Sequence, residues 1–345
     1  MKLRSGKVIS EPDVVMTDLT NNDNIPSTSA DPNIICIPKR TVALQPQRVA
    51  HKFLNYHEFR VSAYRQIFSL PESIIFYMAK NPPSSGVYLK MIKCCKYFFA
   101  KNPILHLHCL HSDGENDGWK TCINRSCHRS KESQRYRKIN LDMSKIQCKL
   151  WVRFRLQITS SNSAVVSSVI PKLYNGYVKK FTIVKQNLSF NQLLFISQSV
   201  ETIYLMDSAV FYDNGTEVPC EVIIQTLPKL EKLFCGRPNI LYDYSKTAAH
   251  LLKIPHFKNL KCFSLTEISE SFDMDTFFKH LKQNTQTMVG LKFSGPLSDG
   301  YKEKLQAFVD ETLEAEIPRA YLPPLIVFNG QLRRAELRKL WLSYL

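Results

Sequence analysis

Metal-ligating side chains crowd one short stretch of the chain: His106, His108, Cys109, His111, Cys122, Cys127 and His128. Zinc takes thiolate sulfur and imidazole nitrogen in tetrahedral sets, usually from pairs two to four residues apart. Cys122 and Cys127 form a slightly wide pair, and their partner pair mixes types as Cys109 and His111. Cys109, His111, Cys122 and Cys127 are therefore the candidate metal set. Free thiols and surface histidines in a loop account for the same residues without an ion. That simpler reading sets the expectation of no bound metal and no cofactor.

The surrounding region, 119–155, is basic. Lys120, Arg125, Arg129, Arg135 and Arg137 are the candidates for gripping phosphates, and Lys145, Lys149, Arg153 and Arg155 follow. A cluster of this kind binds nucleic acid through counterion release. Aromatic residues that would stack on bases are sparse, limited to Trp119, Tyr136 and Trp151. Nucleic-acid or chromatin binding is the alternative function, and an acidic protein partner suits the same charge.

Catalytic signatures are missing. The chain has no glycine-rich phosphate loop, no Gly-x-Ser-x-Gly elbow and no His-Glu-x-x-His. Only 11 glycines are present, so close backbone approach to a cofactor is poorly provided for. Asp273 and Asp275 pair two carboxylates, but at a helix start they fit capping. The expectation is a non-enzymatic protein with no catalytic residues.

Residues 1–50 are polar and without period, and read as a disordered basic arm. The start is basic, but no apolar signal region follows, and no stretch approaches the roughly 18 apolar residues of a membrane span. A reducing compartment, cytoplasmic and/or nuclear, is expected, with the ten cysteines as free thiols. The net charge of +16 points to an acidic partner of some kind.

Helical spacing begins at Leu70-Pro71-Glu72, with Ile74, Ile75 and Met78 along one side and Asn81-Pro82-Pro83 as the stop. Ser84 and Ser85 are N-cap candidates for a second helix. Tyr88, Met91, Ile92, Cys95, Phe98 and Phe99 then keep a 3.6-residue period to its end. Residues 105–140 read as a long Cys/His-rich loop or insert. Cys148, Leu150, Val152, Phe154, Leu156 and Ile158 alternate as a strand.

From there an apolar-x-x-apolar-x-apolar hexad recurs. It starts at Val178, Val200, Leu230, Leu260 and Met288, in steps of 22, 30, 30 and 28 residues. Helical spacing falls between hexads, as in Val222, Ile223 and Leu227 or Phe277, Phe278 and Leu281. Repetition at this period signals stacked units that shelter one another's apolar faces. A strand-like Leu325–Phe328, a break at Gly330 and a basic amphipathic helix over 331–345 close the chain.

The hexads with intervening helices resemble irregular leucine-rich repeats, over 141–330. The resemblance implies an α/β fold: a solenoid with a parallel sheet. One departure is plain: where that family buries asparagine or cysteine, the chain has Ser208, Pro238, Ile268 and Pro296. Upstream, 53–104 resembles an F-box, with Leu70-Pro71 at the start, an apolar helix, a short break and Lys96-Tyr97-Phe98 near the end. That order of modules is similar to substrate receptors of cullin-RING ubiquitin ligases, in the divergent families expanded in nematodes. It implies that Leu70, Pro71, Ile74, Ile75, Tyr88, Leu89 and Ile92 dock a cullin-ligase adaptor protein. The repeats would then hold an unknown protein substrate, with the chain a monomer within that complex.

Overall fold

In the computed structural model, residues 56–61, 67–112, 118–122, 138–236 and 242–344 are described. The expected arm over 1–50 lies outside them, as do Arg125, Cys127, His128, Arg129, Arg135 and Arg137.

The helical stretch is α1 (Tyr56–Val61), α2 (Glu72–Lys80), α3 (Ser85–Cys94) and α4 (Lys96–Lys101). Next come β1 (Ile104–Ser112), β2 (Trp119–Cys122), β3 (Lys138–Leu141) and β4 (Lys149–Thr159). Strands and helices then alternate: α5 (Val165–Val169), β5 (Lys180–Val184), β6 (Asn187–Ser189), α6 (Phe190–Ile196), β7 (Thr202–Met206) and β8 (Ala209–Phe211). They continue as α7 (Cys220–Thr226), β9 (Lys232–Gly236), α8 (Thr247–Leu251), β10 (Cys262–Ile268), α9 (Met274–Leu281) and β11 (Met288–Phe293). The chain closes with α10 (Asp299–Glu314), β12 (Leu325–Val327) and α11 (Arg334–Leu342).

All five hexads lie side by side. A ten-stranded sheet runs in the order β12-β11-β10-β9-β7-β5-β4-β1-β2-β3. It is parallel from β12 to β1 and antiparallel only at β1-β2 and β2-β3. Its register builds two apolar rows across the strands. One joins Leu156, Phe181, Ile203, Leu233, Phe263 and Val289; the other joins Ile158, Ile183, Leu205, Cys235, Leu265 and Leu291. Every member is buried. Burying one such side chain stabilises by about 1.5–3 kcal/mol, so each strand's inner row depends on its neighbours.

The last hexad is corrected by this register. Phe263 stands opposite Val289, and Leu265 opposite Leu291. The residue equivalent to Leu260 is therefore Gln286, two positions before Met288. An apolar run of Met288-Val289 allows either frame, and pairing with β10 selects one.

Helices cover the inner face of the sheet. Leu193, Ile196, Ile223, Ile224, Leu251, Phe277, Phe278, Leu281, Leu305 and Val309 join one core with the strand rows. Local chemistry starts two of these helices. Ser189 and Gln192 form a capping box on α6. Asp273 accepts from Thr276 N–H at 3.0 Å at the start of α9, the capping role assigned to it from sequence. Leu337 of α11 is buried, and that helix packs on β12 and α10.

A left-handed backbone position also repeats two residues past the hexads, after β5 and β7 and at the irregularity within β10. Lys185, Asp207 and Glu267 occupy the same place after three hexads, and all three take positive φ, at 55°, 47° and 59°. Non-glycine residues pay steric strain there, so three coincidences mark a shared backbone path. Gln186 and Ser208 follow, both buried. The Gln186 amide donates to the carbonyls of Ser160, Asn162 and Lys185 and accepts from Val166 N–H. Beyond them β6 and β8 pair in parallel as a second, two-stranded sheet.

Two expectations are refined. The described part of 105–140, read as a loop or insert, carries strands: β1 is a full partner of β4, and β2 and β3 extend the sheet. Histidines and cysteine interleave with Leu105, Leu107 and Leu110, and a register shift after Leu107 breaks the alternation. The second helix is also not continuous, because Cys95 is extended (φ −151°, ψ 131°) and divides α3 from α4. Its sulfur then caps α4 by accepting from Tyr97 N–H.

Candidate functional site

A side-chain cluster sits where the sheet turns from parallel to antiparallel. Leu107 and Leu110 both enter the core, although three residues apart in one strand. A register shift between Leu107 and Cys109 makes this possible. It also sends Cys109 and His111 together to the opposite face. β2 pairs His111 with Lys120 and Ser112 with Trp119, a register that sets Cys122 across from Cys109. The sulfurs of Cys109 and Cys122 and a nitrogen of His111 lie within 4.8 Å of one another. Cys122 Sγ is 3.7 Å from His111 Nε2, and Cys122 N–H donates to Cys109 Sγ at 3.2 Å. Cys109 and His111 are buried, and Cys122 is half-buried. Three of the four sequence-named metal candidates thus meet, and the fourth, Cys127, lies outside the described residues.

The other histidines of β1 stay apart from this cluster. His108 stacks on Phe154 at 5.1 Å. His106 Nε2 is buried without a hydrogen bond among the described residues, and burial together with the Arg153 charge holds its imidazole below the usual value.

A second surface is the apolar side of α2. Proline at 71 starts this helix and Asn81 ends it, as the sequence indicated. Tyr77 and Met78 fall three and four residues after Ile74, so these three share a side of α2; Leu70 precedes the helix, and all four are exposed, Ile74 to 46% and Tyr77 to 68%. Pro71 is exposed as well. Ile75 and Tyr88, named with them from sequence, are not available. Ile75 is buried with Ala79 and Phe98. Tyr88 is buried against Ile104 and Trp151, and its hydroxyl donates to Asn102 C=O and accepts from Ile104 N–H, each at 2.9 Å. These contacts fasten the helices to β1. Leu89 and Ile92 are half-buried.

A third surface went unread in the sequence: the outer face of the strands. Tyr204 and Phe234 stack across β7 and β9, with centroids 4.3 Å apart and planes 1° from parallel. Arg155 stands opposite Lys180, and Lys232 lies one strand beyond the Thr202 that follows. Burial, then the charges of Arg155 and Lys232, depress the Lys180 ammonium below its usual value. Residues between two buried hexad positions had to face outward, so the signal was present in the spacing. Of the basic residues named from sequence, Lys120 is half-buried on β2, Lys145 is exposed before β4, and Lys149, Arg153 and Arg155 lie on β4.

Set against known proteins, the chain matches no family model and no curated protein.

Proposed function

We propose that the chain is a non-enzymatic adaptor, a substrate-recruiting, F-box-like subunit of a cullin-RING ubiquitin ligase. The exposed apolar side of α2 carries this reading. Leu70, Pro71, Ile74, Tyr77 and Met78 offer an anchor set for a groove on the ligase adaptor, where a few residues carry most of the affinity. Tyr77 and Met78 take the places of the buried Ile75 and Tyr88. The stretch 70–101 carries Lys80, Lys90, Lys93, Lys96 and Lys101 against a lone Glu72, which favours an acidic partner.

The strand array is read as irregular leucine-rich-like repeats, a solenoid that holds the substrate. Adjacent hexads, the shared left-handed positions and the parallel β6-β8 pair support it. Gln186 and Ser208 fill the role that asparagine has in that family. The outer face, with Arg155, Lys180 and Lys232 around the Tyr204–Phe234 stack, suits an acidic substrate segment. Affinity capture of the full chain followed by mass spectrometry tests the proposal. Adaptor and cullin should be recovered, and Ile74→Asp should abolish recovery without altering the circular dichroism. A folded chain that recovers neither rejects it.

The same cation row favours one alternative, nucleic-acid binding at that face. Its affinity would fall steeply with salt. A flat response from low to moderate salt excludes it.

A further inference from the structure

We infer that Cys109, His111 and Cys122 form a zinc site that fastens β2 to β1. This inference is independent of the adaptor reading. Zinc–sulfur bonds of about 2.3 Å and zinc–nitrogen bonds of about 2.0–2.1 Å put tetrahedral sulfur and nitrogen donors about 3.6 Å apart. Cys122 Sγ and His111 Nε2 stand at 3.7 Å. Two sulfurs on one zinc would be about 3.8 Å apart, and the whole triad already lies within 4.8 Å. The donors approach the spacing of a coordination shell without rearrangement of the strands.

Chemistry and position agree with that geometry. Two thiolates and an imidazole form a soft set that suits zinc, whereas hard cations such as magnesium and calcium take oxygen. Each thiol gives up its proton on coordination, so binding is coupled to proton release. Three protein donors leave the fourth tetrahedral position for water or one further donor. The site also has a structural task. β1 and β2 share only the pairs His111–Lys120 and Ser112–Trp119, and β2 spans just four residues. So short a strand gains little from pairing alone. Three ligands on two strands fix their register and secure the edge on which β3 hangs. Cys122 N–H, donating to Cys109 Sγ, would also stabilise the thiolate form that zinc requires.

Zinc content of the purified full chain, after exchange against a chromogenic chelator, tests this. Cys109 is fully buried, so Cys122→Ser is the main variant because its thiol is half-buried. His111→Asn is the second variant, and Cys94→Ser, at an exposed thiol, is the control. Wild type and Cys94→Ser should hold about one zinc per chain, and the two ligand variants should lose it. Excess chelator should lower the melting temperature of wild type and leave folded Cys122→Ser unmoved. Cobalt in place of zinc should give thiolate charge-transfer absorption in wild type only. The inference is overturned if the folded wild type takes up no zinc, if Cys122→Ser holds as much as wild type, or if Cys109 and Cys122 are joined as a disulfide.

Discussion

The backbone N–H of Gln186 donates to the Ser208 hydroxyl at 3.0 Å, and Ser208 donates onward to Met206 C=O at 2.8 Å. This link joins the turns after β5 and β7. Gln186 satisfies four further backbone groups with its own amide, so it acts as a buried polar spacer where the strands end. Gln186→Ala should destabilise the chain by about 1–3 kcal/mol, the cost of leaving buried groups unpaired. Urea unfolding reads this directly. A change within experimental scatter would show that water replaces the amide.

Phe263 belongs to the first apolar row, on β10 between β9 and β11, and contacts the rings of Phe257 and Phe277 at 5.1 and 6.0 Å. Phe263→Ala should cost about 3–5 kcal/mol, because strands pinned on both sides cannot collapse into the cavity. The same denaturant series measures it. A much smaller loss would mean that the row is loosely packed.

Lys180 faces Arg155 directly across two strands. Lys180→Met should leave stability unchanged or raise it by up to about 1 kcal/mol, since like charges directly opposite oppose pairing. Binding of an acidic peptide should weaken in the same variant. Thermal melting and fluorescence anisotropy separate the two effects, and unchanged peptide affinity would remove the outer face from the binding account.

His280 is partly buried near Phe257 and Phe277, and burial holds its imidazole below the ordinary value. The unfolded chain therefore takes up its proton at higher pH than the folded chain. The stability involved is fully present above the unfolded value of about 6.5 and is lost as pH falls through it towards the folded value. Unfolding midpoints at two pH values on either side should drop more in wild type than in His280→Leu. Equal drops would contradict the assignment.

The fold was legible wherever one apolar period dominated. Val178, Val200, Leu230 and Leu260 gave strand positions in register, because each hexad buries two alternate residues and its start. The final hexad slipped by two because Met288 and Val289 are both apolar, and only the neighbouring strand resolves them. β1 was hidden because histidines and cysteine interleave with its leucines and a register shift after Leu107 breaks the alternation. The metal candidates were legible by type, but their meeting depended on an irregularity after Leu107 that spacing does not encode. Ile75 and Tyr88 were misassigned because an apolar helical stripe looks the same whether it faces a core or a partner.

Titration calorimetry of the purified full chain with a purified cullin-ligase adaptor tests the central claim most directly. The account predicts saturable one-to-one binding that is lost in Ile74→Asp and in Tyr77→Asp while both variants melt as wild type does. No heat of binding from the folded chain, or equal affinity in all three proteins, would contradict it.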